Sequence, residues 1–334
     1  MLLSGIIMRK PVVHLFLIRK SSLIICFCII VLIVQSVSFA FGKKETWSVY
    51  NNNYINYNII MKRDLLCLMI AYWKNVKGIL QTQDGKVYLV MQSGSRILYD
   101  DKKVKTPDEK FANADLQDML EQIYPLFGAN YLRSIDFNPG RNRTYKLFED
   151  VYGKTKGKIE VNLVSVGYGN LVLKFNEKNN AANMLKKVNS ELAVLTKIRS
   201  GLKPFIYPSS GTYNYRNISG TNLLSAHSFG TAIDLPANGK DYWQWASRND
   251  GQKRMSAYPP EVVKIFEKNL FIWGGRWGYF DLMHYEYRPE LILKARYFSK
   301  MPEPGQPWYI GSPYSEDIHI RNYIKMIDEA LRPG

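Results

Sequence analysis

Two short stretches of this chain gather residue types able to do chemistry. In Ser225-Ala226-His227-Ser228-Phe229-Gly230-Thr231-Ala232-Ile233-Asp234 an imidazole precedes a carboxylate by seven residues. In Asp281-Leu282-Met283-His284 a carboxylate precedes an imidazole by three. Together they supply two neutral nitrogen donors, one anionic oxygen donor and a spare carboxylate. That is the inventory of a catalytic zinc site: three protein ligands, a position open to water, and a base beside it.

His227 and Asp234 alone fit a buried hydrogen-bonded pair equally well. Gly230 permits a bend between them, and Ala232-Ile233-Asp234-Leu235 reads as a buried strand, where a carboxylate is costly without a partner. The second pair shifts the balance. Beyond residue 40 the chain has only His227, His284 and His319, and two of these three lie in the motifs. His227, Asp234 and His284 suit the ligand roles and Asp281 the general base. Residue types and spacing leave Asp234 and Asp281 interchangeable.

The pattern Ser-x-His-x-x-Gly-x-Ala-x-Asp followed by Asp-x-x-His resembles the zinc peptidases of the D-alanyl-D-alanine carboxypeptidase family. The resemblance extends through Gly211-Thr212-Tyr213-Asn214-Tyr215-Arg216, Tyr242-Trp243, Phe271-Ile272-Trp273-Gly274-Gly275 and His284-Tyr285-Glu286-Tyr287-Arg288-Pro289-Glu290-Leu291. It covers residues 110–300 in outline and 205–295 most firmly. It implies a zinc ion held by His227, Asp234 and His284, with Asp281 as base. It also implies Arg216 beside the substrate, stabilising a developing oxyanion or gripping a carboxylate. The fold it implies is the α+β fold of the Hedgehog and D,D-peptidase type, a small antiparallel sheet flanked by helices. The implied reaction is hydrolysis of peptide bonds in peptidoglycan stem peptides by activated water, with no covalent intermediate. Members that cut D-alanyl-D-alanine carry Glu where this chain has Asp281. The branch with Asp there resembles the L-alanyl-D-glutamate endopeptidases, including phage lysins and cell-wall enzymes, so both cleavages stand as expectations. The alternative is a cell-wall-binding protein that keeps the fold without catalysis; a zinc hydrolase acting on some other D-amino-acid or small peptide substrate is a third reading.

Other candidates have two readings each. Glu286 is either a partner that orients a ligand or a carboxylate at the core rim. Ser225 either hydrogen-bonds near the metal or is an ordinary turn residue. Trp243, Trp245, Trp273 and Trp277 read mainly as core, with a cleft for glycan or peptide as the other role. His319 reads as a surface residue, and Cys67 as a small buried hydrophobe.

Positioning these groups requires a packed domain, and the composition allows one. Of the 334 residues 46% are hydrophobic and 13% aromatic, which excludes a wholly disordered chain. The N-terminus reads as an export signal: Arg9, Lys10, Arg19 and Lys20, then an apolar run from Leu23 to Val34, then small residues at Ser38 and Ala40. Cleavage after Ala40 is expected, with an uncleaved membrane anchor as the alternative. Loss of those four cations would take the net charge from +16 to +12, and would leave Cys67 without a disulfide partner. The expected location is outside the cytoplasmic membrane, in the periplasm or cell envelope. The excess positive charge suits attraction to an anionic envelope polymer. No nucleic-acid motif or Lys/Arg block is present, so a nucleic-acid partner is not expected.

The expected order is a signal or anchor over residues 1–40, an accessory segment over 41–108, a peptidase domain over 109–300 and a tail over 301–334. Gly78–Gln83, Lys86–Gln92 and Arg96–Tyr99 predict a β-meander, with Asp84-Gly85 as its first turn. The charged run Asp100 to Asp108 reads as a linker. Helical spacing marks residues 115–127. Alternation at Ile159, Val161 and Leu163 and at Leu171, Leu173 and Phe175 predicts a hairpin. A helix is expected from Asn179 to a C-cap at Gly201, another from Pro259-Pro260, and a last one over 318–331.

Overall fold

The computed structural model describes residues 56–331, and the described residues from Asn58 onward form one unit. The expected signal or anchor and the first part of the accessory segment, residues 41–55, lie outside the described residues. Among those described, no helix is long and apolar enough to cross a membrane.

The chain opens with helix α1 over residues 56–71. Leu65, Leu66, Cys67 and Leu68 are fully buried in it. The charges that interrupt this apolar stretch all find partners. Asp64 meets Lys294 at 2.6 Å and accepts from the Tyr99 hydroxyl at 2.9 Å; Arg63 donates to the carbonyls of Lys300 and Trp308. The meander follows as β1 (Val76–Gln81), β2 (Val87–Met91) and β3 (Arg96–Leu98), paired antiparallel in that order. The stretch read as a linker is tied down instead. The Lys105 ammonium lies 2.6 Å from Asp118, 2.9 Å from Asp115 and 3.1 Å from Asp101, because a buried cation must be surrounded by anions to stay charged.

Helix α2 (Pro107–Ala112) comes next, and of the stretch 115–127 expected to be helical only α3 (Leu116–Leu120) is an α-helix. Both begin with capping boxes, at Thr106 and Asp115. Next come α4 (Tyr145–Tyr152) and α5 (Lys156–Glu160). Helix α5 overrides the alternation at Ile159 and Val161. The Thr155 hydroxyl caps it by accepting from the Lys158 N–H, and the strand starts only at Leu163. The hairpin is β4 (Leu163–Tyr168) and β5 (Leu171–Asn176), and α6 (Ala181–Ile198) packs on it. Asn179 and Asn180 precede α6 in left-handed conformation, which moves its start past the expected Asn179. It ends before Gly201, which sits in a separate 3-10 turn.

After the short α7 (Lys203–Ile206) the chain reaches β6 (Ala232–Asp234), α8 (Arg248–Ser256), α9 (Pro260–Lys268), β7 (Phe271–Trp273), β8 (His284–Tyr287), α10 (Pro289–Tyr297) and α11 (Ile318–Ala330). The last sheet has the order β6-β8-β7 and is antiparallel throughout. The whole is an α+β fold of small antiparallel sheets flanked by helices. Side chains alternate across a strand. One face of this sheet sends Ile233, Tyr285, Tyr287, Phe271 and Trp273 into the main core, where Phe266 of α9 stacks on Tyr285 at 3.9 Å. The other face of β6 and β8 carries Asp234, His284 and Glu286.

Candidate metal centre

Strand pairing sets the geometry. Asp234 on β6 stands opposite His284 on β8, so both side chains rise from the same face. His227 reaches that face from a 3-10 turn, Ala226–Phe229, immediately before β6. Ser225 begins this turn, and its hydroxyl accepts the His227 backbone N–H, so Ser225 acts as a cap. Gly230 ends it at φ 67°; a Cβ there would also lie 2.6 Å from Leu163 Cδ2.

His227 Nδ1 lies 2.5 Å from the Thr212 carbonyl, and His284 Nε2 lies 3.0 Å from Glu286 Oε1. Each of these ring nitrogens therefore carries a hydrogen and donates it, which leaves His227 Nε2 and His284 Nδ1 as bare acceptors. The two acceptors lie 3.2 Å apart. Asp234 Oδ2 is 3.2 Å from His227 Nε2, and Asp234 Oδ1 is 2.8 Å from His284 Nδ1. With both imidazoles neutral, three acceptor atoms converge with no donor among them, an arrangement that calls for a cation, either a metal ion or a second proton on His284 Nδ1 shared with Asp234. The edges of a zinc tetrahedron built from ordinary Zn–N and Zn–O bonds are ~3.3 Å. The donor set fits zinc in number, in type and in spacing.

The electrostatics carry the same demand for positive charge. Burial works to lower the pKa of the His284 imidazole, but the Asp234 and Glu286 carboxylates beside it prevail and raise it to about 10. Burial likewise opposes charge on Asp234, yet His227 and His284 hold it well below the usual carboxylate range. Glu286 is buried, and against that burial Arg143 and His284 hold it well below its ordinary value. Arg143 Nη2 donates to Glu286 Oε1, and the Arg288 guanidinium stands 3.6 Å from its other oxygen. Of its two sequence readings, Glu286 takes that of the partner orienting His284.

Asp281 opens onto the same cleft, which has a volume of about 400 Å³. It sits in the loop between β7 and β8, bridged to Tyr242, with its N–H donating to the Gly274 carbonyl at 3.1 Å. The loop presses so close that a Cβ on Gly274 would lie 2.5 Å from the Asp281 carbonyl oxygen. Asp281 Oδ1 is shut off from solvent and has no hydrogen-bond partner. Burial, reinforced by the Asp234 charge, raises its carboxyl to about 7 although His284 and Arg141 pull it down. Asp234 and Asp281, interchangeable by composition, differ here: Asp234 lies within 3.2 Å of both imidazoles, whereas Asp281 Oδ1 hydrogen-bonds to neither.

Arg216 lies exposed at the cleft wall. Its backbone N–H donates to Ser228 Oγ and its carbonyl accepts from that hydroxyl, which ties it to the His227 turn. Trp273 is core, with its indole N–H donating to the Leu282 carbonyl. Trp277 is buried too, yet its ring stands 5.7 Å from that of His284. Trp243 is half-buried and Trp245 exposed, both on the cleft. His319 is exposed and remote from the cleft, and Cys67 is buried. Arg141 and Arg143 had no signal in the sequence, and Thr212, though inside a stretch that carries the resemblance, was given no role by it. Thr212 acts through its backbone carbonyl, and the two arginines arrive from more than 80 residues upstream of His227.

A larger cavity of about 480 Å³ lies beside β3, and a second acidic group, Asp100, Asp101 and Asp115, stands at its edge. The Lys105 ammonium already lies within 3.1 Å of Asp101 and Asp115, so that group has its cation. Size alone does not identify the site.

Residues 219–287 match the family model described as D-alanyl-D-alanine carboxypeptidase. The matched span contains His227, Asp234, Asp281, His284 and Glu286, and supports a peptidase-family function for this stretch. The family is generally metal-dependent. Neither a curated protein nor a solved structure matches the chain.

Proposed function

We propose that this chain is an exported zinc-dependent peptidase that hydrolyses peptide bonds in the stem peptides of peptidoglycan, of the D-alanyl-D-alanine carboxypeptidase or L-alanyl-D-glutamate endopeptidase type. The observation that carries the reading is the convergence of three acceptor atoms, on His227, Asp234 and His284, in one cleft that Asp281 also lines. The family match supports the peptide substrate, and the N-terminal apolar segment supports export.

A zinc ion at this centre would bring the pKa of a water toward neutrality and polarise the scissile carbonyl. His227 is held for ligation by its bond to the Thr212 carbonyl, and His284 by its bond to Glu286. Asp281 is the base. Its carboxylate accepts a proton from the attacking water and returns it to the leaving amine. Partial burial suits both halves of that cycle, since a carboxyl raised toward neutrality both accepts and releases a proton readily. Arg216 stabilises the negative charge that develops on the carbonyl oxygen. The aromatic wall of Tyr242, Trp243 and Trp245 provides apolar surface for the peptide.

The test is digestion of purified sacculi or defined muropeptides by the zinc-loaded protein, with products weighed by mass spectrometry. Loss of one D-alanine residue from the muropeptide, or release of the peptide after its first L-alanine, supports the reading and decides between the two cleavages. Intact muropeptides after prolonged incubation with zinc-loaded protein count against it.

A further inference from the structure

We propose that Arg141 binds a free α-carboxylate on the substrate residue whose amine leaves, so that the site selects peptides carrying an anion immediately beyond the cut bond; this rests on the peptidase reading above. Arg141 lines the cleft of the candidate metal centre. Its guanidinium lies 4.9 Å from the ring centroid of Tyr279, 5.7 Å from that of Phe111 and 5.8 Å from that of Trp277. Three aromatic walls thus hold a planar cation on the cleft.

What that cation lacks is an anion. Among the described residues no carboxylate stands within ion-pair distance of Arg141. Three buried arginines nearby differ: Arg143 pairs with Glu286, Arg288 with Glu290 at 2.6 Å, and Arg276 with Glu267 at 3.2 Å. Burial disfavours the charged form of Arg141, but a guanidinium stays protonated in proteins. A partly desolvated cation with open donors is a ready receptor for a carboxylate, which the guanidinium fork meets with two parallel hydrogen bonds.

The position of the seat indicates which part of the substrate it reads. Trp277 and Tyr279 lead directly into Asp281, and the Arg141 and Asp281 charges act on each other. Arg216 is instead tied to the turn bearing His227. Arg141 therefore belongs to the side of the cleft where Asp281 delivers its proton to the departing nitrogen. A terminal D-alanine and a D-glutamate linked through its side chain both present a free α-carboxylate next to that nitrogen, so the same contact serves either cleavage.

Binding separates this inference from turnover. The zinc-loaded Asp281→Asn protein, with and without Arg141→Met, is titrated calorimetrically with N-acetyl-D-alanyl-D-alanine and its C-terminal amide. A second pair of probes is N-acetyl-L-alanyl-D-glutamic acid and N-acetyl-L-alanyl-D-isoglutamine. At least one acid is expected to bind about 10- to 100-fold more tightly than its amide, as loss of a charge-assisted pair implies. Arg141→Met is expected to reduce that preference to within about twofold while retaining zinc. If Arg141→Met fails to fold, Arg141→Lys keeps the charge without the fork and is expected to show a weakened preference. The proposal is overturned if the preference survives either substitution unchanged, or if the parent protein shows none for either pair. Failure of wild-type protein to hydrolyse the acids would count against the peptidase reading, whereas a carboxylate preference is read on binding alone.

Discussion

Asp234 Oδ1 and His284 Nδ1 stand 2.8 Å apart because their residues are direct cross-strand partners on β6 and β8. The candidate metal centre is thus anchored in strand register. Slipping β8 by one residue would bury His284 in the core and present Tyr285 to the cleft. The same alternation places Glu286 behind His284, two residues along the strand.

Glu286→Gln tests that supporting contact. It keeps an acceptor for the His284 N–H but removes the charge that Arg143 and Arg288 face. Zinc affinity, measured by competition with a chromophoric chelator, is expected to fall about 10- to 100-fold. Affinity equal to wild type would mean that Glu286 only neutralises its arginines.

Asp281→Asn is expected to leave zinc content unchanged and to lower kcat by about 10²- to 10⁴-fold, the range for loss of a general base. Gly274→Ala acts on the same group from behind, since its Cβ would lie 2.5 Å from the Asp281 carbonyl. It too is expected to retain zinc and lose turnover. Full activity in Asp281→Asn would remove the residue from the mechanism.

The fold can be tested through the opposite face of β8. Phe266 is fully buried and stacks on Tyr285. Phe266→Ala is expected to cost about 3–5 kcal/mol. Urea unfolding followed by circular dichroism should show a lower midpoint with an unchanged slope. Saturating zinc should recover part of the loss, because a ligand bound only by the native state stabilises it.

Cys67 reports on α1. Burial pushes its thiol well above the ordinary range, with the Asp64 charge adding to the effect. A free thiol becomes more reactive as pH rises toward its pKa, because the thiolate is the nucleophile. Protein from which residues 1–40, with Cys26 and Cys28, have been removed is therefore expected to show negligible maleimide labelling between pH 7 and 9, with labelling appearing only on unfolding. A labelling rate that climbs about tenfold per pH unit in native buffer would show that α1 opens readily.

The sequence displayed the chemistry of this centre more plainly than its support. His227, Asp234, Asp281 and His284 stood out because each pairs an imidazole with a carboxylate among apolar neighbours, where an unpartnered charge is costly. Glu286 was visible but ambiguous; only the pairing of β8 with β6 shows which way it faces. Arg141 was hidden because its aromatic seat joins Phe111 to Trp277 and Tyr279, which lie far from both Phe111 and Arg141 in the chain. The meander and the β4–β5 hairpin were legible in turn residues and alternation. At Ile159 and Val161 alternation misled, because the Thr155 cap starts a helical turn that local periodicity does not reveal.

The central claim is that His227, Asp234 and His284 hold one zinc ion. Its most direct test is the metal content of the purified protein after zinc loading and removal of excess, by inductively coupled plasma mass spectrometry. The account predicts one zinc per chain in the wild type and in Asp281→Asn, and none in His227→Ala or His284→Ala. A folded wild-type protein that binds no zinc, or a His284→Ala variant that binds it as well as wild type, would contradict it.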